Sequence, residues 1–342
     1  MLLSRLAVCL SLLVAVAAPA KASPLQQLRG RTMGTTWSVQ VVLPPAVSAK
    51  ELQFGIQAEL DRVDDQMSTY KPASDLSRFN RAPGGTWQTL PPEFFRVLQY
   101  ALQLAKESDG AYDPTVGPLV NLWGFGPDQR PRQPPTAVAI AQAKARVGWW
   151  KLKLDPASQR AWQPGGIYVD LSAVAKGFGV DQVGRYLQGM GVQSWLVEVG
   201  GELKAHGRTP GGMPWRVGIE RPDAAVAAVS NASELVRTIQ LDDRAIATSG
   251  DYRHVFEDDG RFYSHHIDPR TGWPVAHEVA SVSVLADDCM RADPLGTTLS
   301  VLGAERGMAY ARRHALAVLM IVRTARGFEQ RMSPAFVAGL RR

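Results

Sequence analysis

The chain has 342 residues, 45% of them apolar, with 38 Lys and Arg against 32 Asp and Glu, and two cysteines. The charges are scattered, without the clustered basic stripe that a nucleic-acid surface needs, so no nucleic-acid partner is expected. Two cysteines, one of them at Cys9, exclude a disulfide framework and a cysteine-rich metal site.

At the amino end, Arg5 precedes an apolar run over residues 6–18, followed by Ala18-Pro19-Ala20 and Ala20-Lys21-Ala22. A basic start, a short apolar core and an Ala-x-Ala site predict a cleaved secretory signal over residues 1–22. The run falls short of the roughly 20 apolar residues of a membrane-spanning helix. No cysteine follows the small residues, so no stable membrane anchor is expected. Residues 23–342, with 36 basic against 32 acidic side chains, are expected to form one domain, soluble in the periplasm of a Gram-negative source. Cys289 is then alone and reads as a small core residue.

Residues 35–43 alternate around Trp37, Val39 and Val41, which predicts a strand. Ser48 is placed to cap a helix through about Met67, with Leu52, Ile56, Leu60 and Val63 at helical spacing. Pro91 opens a second helix ending near Gly110, residues 136–147 a third, and residues 172–187 a fourth. The proline-rich residues 126–136 read as a surface loop. Strands are predicted over 195–199, 215–220, 234–241, 280–285 and 315–322, and a helix with proline in its first turn over 294–302. Strands and helices mix without regular βαβ alternation, so the class is α+β.

Four segments are too polar and glycine-rich for ordinary connectors. In residues 170–179, Asp170 ends a strand-like run, small residues open a helix whose free N–H groups suit phosphate, and Lys176 adds a cation. A helix cap with a solvated lysine is at least as good a reading of that segment alone. Gly200-Gly201-Glu202 lies between two strand-like runs and reads by itself as a hairpin turn. Residues 247–253 and 263–272 crowd hydroxyls, His265, His266 and an Asp268-Pro269 turn together, and histidine is the usual proton carrier near neutral pH. Neighbours in a strand face opposite ways, so only one of the two histidines is expected in a given site. Asp293, the carbonyl of Gly296 and the hydroxyl of Thr297 are hard oxygen donors of the kind magnesium takes, although Asp before Pro is also a good helix cap.

Together these segments resemble the ApbE family, the FAD:protein FMN transferases. The similarity runs from about Met33 to about Gly303, in the order Met33-Gly34-Thr35, Met67-Ser68-Thr69-Tyr70, Ser77-Arg78-Phe79-Asn80, residues 110–117, residues 170–179, Gly200-Gly201-Glu202, residues 248–252, residues 265–272 and Ala292-Asp293. The resemblance implies a T-fold-like α+β architecture of mixed sheets with packed helices, and an FAD cleft between the halves. It implies that Met33 and Tyr70 border the flavin, with Ala111, Tyr112 and Asp113 as a second flavin-side loop. Asp170, Lys176 and Ile267 would contact the rest of the cofactor. Magnesium would be held by the carbonyl of Ala173 with Asp293 and Thr297, and Gly296 could add a carbonyl.

The chain departs from the family pattern in three places. It reads Ala292-Asp293-Pro294-Leu295-Gly296-Thr297 where the family commonly has Ala-Asp-Ala-Leu-Ala-Thr, keeping the Asp and Thr donors. It has His265-His266-Ile267-Asp268-Pro269 for His-Ile-Ile-Asp-Pro, and Gly200-Gly201-Glu202 for Gly-Gly-Asp. The expected activity is Mg²⁺-dependent cleavage of FAD with transfer of FMN to a Thr or Ser of an acceptor protein. The acceptor expected from the resemblance is a flavin-carrying subunit of a respiratory or electron-transfer complex. His265 is the candidate base, oriented by Asp251 or Asp268. The rival readings are an FAD pyrophosphatase, in which water replaces the acceptor, and a flavin-binding protein without catalysis.

Overall fold

The computed structural model describes residues 25–128, 132–222, 235–251, 255–276 and 278–340. The expected signal over 1–22, Tyr252 and Arg253 of the third segment, and part of the proline-rich loop lie outside the described residues.

Eight strands form one antiparallel sheet in which each strand lies beside the one before it: Leu25–Thr32, Thr35–Val42, Trp195–Val199, Glu202–His206, Ala245–Gly250, Val279–Ala286, Ala317–Thr324 and Gly327–Met332. The first four are a hairpin, an excursion containing long helices, and a second hairpin. The last four are an antiparallel pair with further short strands between its members, an excursion containing a long helix, and a hairpin. Helices Ala49–Met67, Ser172–Gly189 and Cys289–Arg313 cover one face. Alternation along the strands sorts the core between the faces. Val318, Met320 and Val322 point into the cluster that contains helix residues Leu60, Phe178 and Leu299. Leu319 and Ile321 point the other way, with Leu196, Ile246 and Leu285, onto a layer made by Trp215, Ile239 and Phe336. That second layer is the hairpin Trp215–Glu220 with Leu235–Leu241 and the short helix Pro334–Gly339.

Local chemistry accounts for most element ends. Ser48 and Thr136 accept hydrogen bonds from the N–H groups of Glu51 and Ala139 and so cap helices Ala49–Met67 and Ala137–Lys144. The turn joining the first two strands places Met33 at φ 45° and Gly34 at φ 73°, the pair of positive φ values that a tight hairpin requires. Gly200 at φ 60° and Gly201 at φ 102° make a similar turn, with Val199 opposite Glu202. The hairpin reading of that glycine pair therefore holds.

Two expectations are corrected. The helix expected to begin at Pro294 begins at Cys289 and runs to Arg313, interrupted at Gly303, whose φ of 77° and ψ of 175° are not helical. Pro294 lies inside it, so Asp293 is not a helix cap. His265 and His266 do not continue a strand: the strand Arg261–Ser264 ends before them, and the next begins at Ile267. Their rings consequently lie 4.2 Å apart between centroids, with no alternation to opposite faces.

Candidate functional site

Helices Ser172–Gly189 and Cys289–Arg313 run in opposite directions and are fastened by carboxylates that each takes from the other. Asp181 Oδ1 accepts from the backbone N–H of Cys289 at 3.1 Å, and its Oδ2 accepts from that of Met290 at 2.9 Å. In return, Asp293 Oδ2 accepts from the N–H of Gly177 at 2.9 Å. The contact is close: a Cβ on Gly177 would stand 2.3 Å from the Cys289 carbonyl oxygen and 2.8 Å from Asp293 Cβ. Only glycine fits there. Asp181 also explains the early helix start, since it satisfies N–H groups that a side chain within the helix would otherwise have to cap.

The Gly177 bond has a second effect. In a regular helix the N–H of residue 177 belongs to the carbonyl of residue 173. Because it donates to Asp293, the carbonyl of Ala173 shares or loses that donor, and the bond sets a buried carboxylate against this turn of the helix. Asp293 is 3% exposed, and Thr297, one turn on, is only partly buried. Gly296 packs on Ser249, where a Cβ would come within 2.5 Å of the Ser249 hydroxyl. These are oxygen donors of the type a hard cation takes. Among the described residues no cluster of three or more His, Cys, Asp or Glu could hold a metal. A divalent ion here would therefore depend on carbonyl, hydroxyl and phosphate oxygens around one carboxylate, a set that suits magnesium.

Lys176 sits between two buried acids. Its Nζ is 3.5 Å from Glu202 Oε1 and 3.7 Å from Asp293 Oδ1. Burial works against the ammonium, but Asp293 and Glu202 outweigh it and hold Lys176 protonated. The solvated-lysine reading is therefore overturned. Burial pushes the carboxyls of both Asp293 and Glu202 up, and Lys176 opposes the rise in each. Glu202, 4% exposed, keeps Oε2 without a hydrogen-bond partner. Gly200, in the turn that delivers Glu202, lies against Thr35 and the stem of Lys176. In the sequence Glu202 stands out only as the exchange within the Gly200-Gly201-Glu202 turn, with nothing to show that it is buried beside Lys176.

Of the other expected residues, Tyr112 lies within electrostatic reach of Asp293 and Asp170. Met33, held left-handed in its turn, reaches helix Ser172–Gly189, with Cε 3.2 Å from where a Cβ on Gly179 would be. Tyr70 is 65% exposed, and its hydroxyl is pushed up by partial burial and by Asp170. Asp170 Oδ1 accepts from the N–H of Ser172, the first helical residue, although the cap position itself is Leu171, which makes no side-chain cap bond. Ala111 and Tyr112 are buried, and the Tyr112 hydroxyl has no hydrogen-bond partner. Burial raises that hydroxyl well above its ordinary value, with Asp170 and Asp293 adding to the rise. Asp113 is occupied within its own loop, accepting from Thr115 N and Oγ1 on one oxygen and from Trp149 N on the other. Ile267 is buried with Leu119 and Trp123.

His265 is half-buried, its ring 6.3 Å from that of Phe125, which in turn packs on Phe256. The two carboxylates expected to orient it are engaged by arginines. Asp251 receives both arms of Arg323, at 2.6 and 2.7 Å, and Asp268 receives Arg270 Nε and Nη2, each at 2.8 Å. Bidentate pairs of this kind hold a loop in place, and no signal in the sequence linked Asp251 to Arg323.

The sequence profile of the ApbE family matches residues 33–320. The FAD:protein FMN transferase of Vibrio cholerae is 43% identical over 330 residues, covering 96% of this chain and 97% of that protein. The solved structure of the flavin transferase ApbE from Vibrio cholerae superposes with a TM-score of 0.84, at 43% identity, over 92% of this chain and 99% of that one. The apo flavinyl transferase ApbE of Pseudomonas stutzeri gives the same TM-score at 40% identity, over 93% and 97% of the two chains.

Proposed function

The chain belongs to the ApbE family, and we propose that, as an FAD:protein FMN transferase, it cleaves FAD at a magnesium site centred on Asp293. FMN is joined by a phosphodiester bond to a Thr or Ser hydroxyl of an acceptor protein, and AMP leaves. The observation that supports the magnesium assignment is the Gly177 N–H bound to Asp293, which holds that buried carboxylate against the first turns of helix Ser172–Gly189, where Ala173 lies. Ala173, Asp293 and Thr297 would hold the ion, with Gly296 able to add a carbonyl. When bound, magnesium supplies positive charge to a pyrophosphate whose negative charge shifts towards the departing AMP.

The chain's own residues do the rest. Lys176, kept protonated by its two acids, is a fixed positive charge for the phosphates, and the amino end of helix Ser172–Gly189 adds its dipole. The exposed ring of Tyr70 offers a stacking face for the flavin, and Met33 borders it from its turn. Ala111 and Tyr112 close the flavin side, with Asp113 bracing the loop. Asp170 and Ile267 line the remainder. His265 takes the proton of the acceptor hydroxyl. Asp251 and Asp268 serve by fixing the segments on either side of it through Arg323 and Arg270.

No helix among the described residues is long and apolar enough to cross a membrane. The signal-like residues 1–22 support a single exported, periplasmic domain over 23–342. The acceptor would be a flavin-carrying subunit of a respiratory or electron-transfer complex.

Mass spectrometry of a candidate acceptor after incubation with FAD and Mg²⁺ tests the assignment. An added FMN mass on Thr or Ser, lost in Asp293→Ala, is the expected result. Release of free FMN and AMP with the acceptor unmodified would replace transfer by hydrolysis.

A further inference from the structure

Lys176 stands almost equally far from two buried carboxylates, 3.5 Å from Glu202 and 3.7 Å from Asp293, and close to neither. Charge-assisted hydrogen bonds of ammonium to carboxylate are normally shorter, about 2.7–2.9 Å. The ammonium is shared. Its stem is confined by the turn at Gly200, where a Cβ would come within 3.2 Å of Lys176 Cδ. The head group can therefore lean towards one acid or the other, on a side chain that is 26% exposed.

Glu202 has capacity in reserve, because its Oε2 is buried without a partner. Asp293 is the more committed of the two, since Oδ2 already accepts the Gly177 N–H and Oδ1 is the oxygen that faces Lys176. A divalent cation at Asp293 must then compete with the ammonium for the same oxygen, and two positive charges at such range repel.

We infer that Glu202 is a positioning residue for the cation: it draws the Lys176 ammonium off Asp293, so that a divalent ion can take that carboxylate. Lys176 is thus a placeholder that neutralises Asp293 until the cation arrives, and Glu202 is where it goes. The inference rests on the reading that the metal is held at Asp293, and its test separates the two.

The test is Mn²⁺ binding to the mature protein at about pH 8.5, where the raised Glu202 carboxyl is mostly ionised, followed by loss of the free-ion EPR signal, since Mn²⁺ shares magnesium's preference for oxygen ligands. Glu202→Gln leaves Lys176 with Asp293 as its charged partner in the cluster and is expected to weaken Mn²⁺ about tenfold, beyond the scatter of unrelated substitutions. Lys176→Met removes the competitor and is expected to bind Mn²⁺ more tightly than wild type. The double variant Lys176→Met/Glu202→Gln is expected to recover at least wild-type affinity, which a merely structural role for Glu202 would not produce. Unchanged affinity in Glu202→Gln, or equal or weaker affinity in Lys176→Met, overturns the inference. The lysine variant decides the matter even if Glu202→Gln fails to fold. Wild-type Mn²⁺ binding in Asp293→Ala would instead overturn the metal site on which the inference stands.

Discussion

Asp293 Oδ2 lies 2.9 Å from the backbone nitrogen of Gly177, so a side chain of one helix takes the N–H that the other would spend on its own turn. The bond requires the two backbones to approach until no side chain fits at residue 177. Gly177→Ala should push the helices apart and lower stability by about 2 kcal/mol, the usual range for overpacking a tight contact. Transfer should fall with it, because the same displacement moves Asp293 away from Ala173. Urea denaturation checks the first effect, and a variant as stable as wild type would mean that the contact yields without strain.

Asp181 should matter more for folding than for chemistry. It carries the Cys289 and Met290 N–H groups and the Lys204 ammonium, at 2.8 Å, on one buried carboxylate. Asp181→Ala would leave those donors unsatisfied and should cost about 3 kcal/mol, as breaking a buried charged network does. Lys204 retains Asp288 at 3.4 Å, which limits the loss. Denaturation midpoints of Asp181→Ala and Asp181→Asn check this, with the asparagine variant expected to keep part of the stability.

Glu202 predicts a pH dependence. Burial pushes its carboxyl from the ordinary 4.5 up to about 8, against the pull of Lys176. A carboxyl with a raised folded pKa binds its proton more tightly folded than unfolded. Its contribution to stability is therefore complete below the unfolded value and is lost as pH rises through the folded one. Between about pH 6 and about pH 9 the metal-free wild type should lose stability relative to Glu202→Gln, which cannot ionise. A constant difference between the two proteins across that range would show that Glu202 does not titrate there.

His265→Ala should slow transfer at least a hundredfold, about the low end of general-base effects, while FAD affinity changes little. Single-turnover transfer and flavin fluorescence separate the two quantities. Equal transfer rates in wild type and variant would remove His265 from the chemistry.

Most of the fold was legible where local chemistry decides it. Ser48 and Thr136 announced their helices by their own hydroxyls, and the alternation around Trp37 marked a strand. What escaped was set by distant groups. The true start of helix Cys289–Arg313 depends on Asp181, a residue of another helix, so local propensity pointed to Pro294 instead. The donor set around Asp293 was visible as residue types, but its freedom from helix capping was not. The bend at His265 and the pairing of Asp251 with Arg323 are tertiary facts, with no periodicity to betray them. Glu202 looked like a conservative exchange in a turn motif, and only burial beside Lys176 gives it weight.

The division of the site between the two four-strand halves has a temporal consequence. Lys176 and Glu202 belong to the first and Asp293 to the second, and Gly177 meets Asp293 across 116 positions of chain. Contacts of such separation form late, after the local helices and hairpins on either side. A growing or still-extended polypeptide therefore has the pieces of the site but not the site. On the proposed assignment of the site, cleavage of a dinucleotide waits until the last long helix has docked, so activity is tied to the completion of folding.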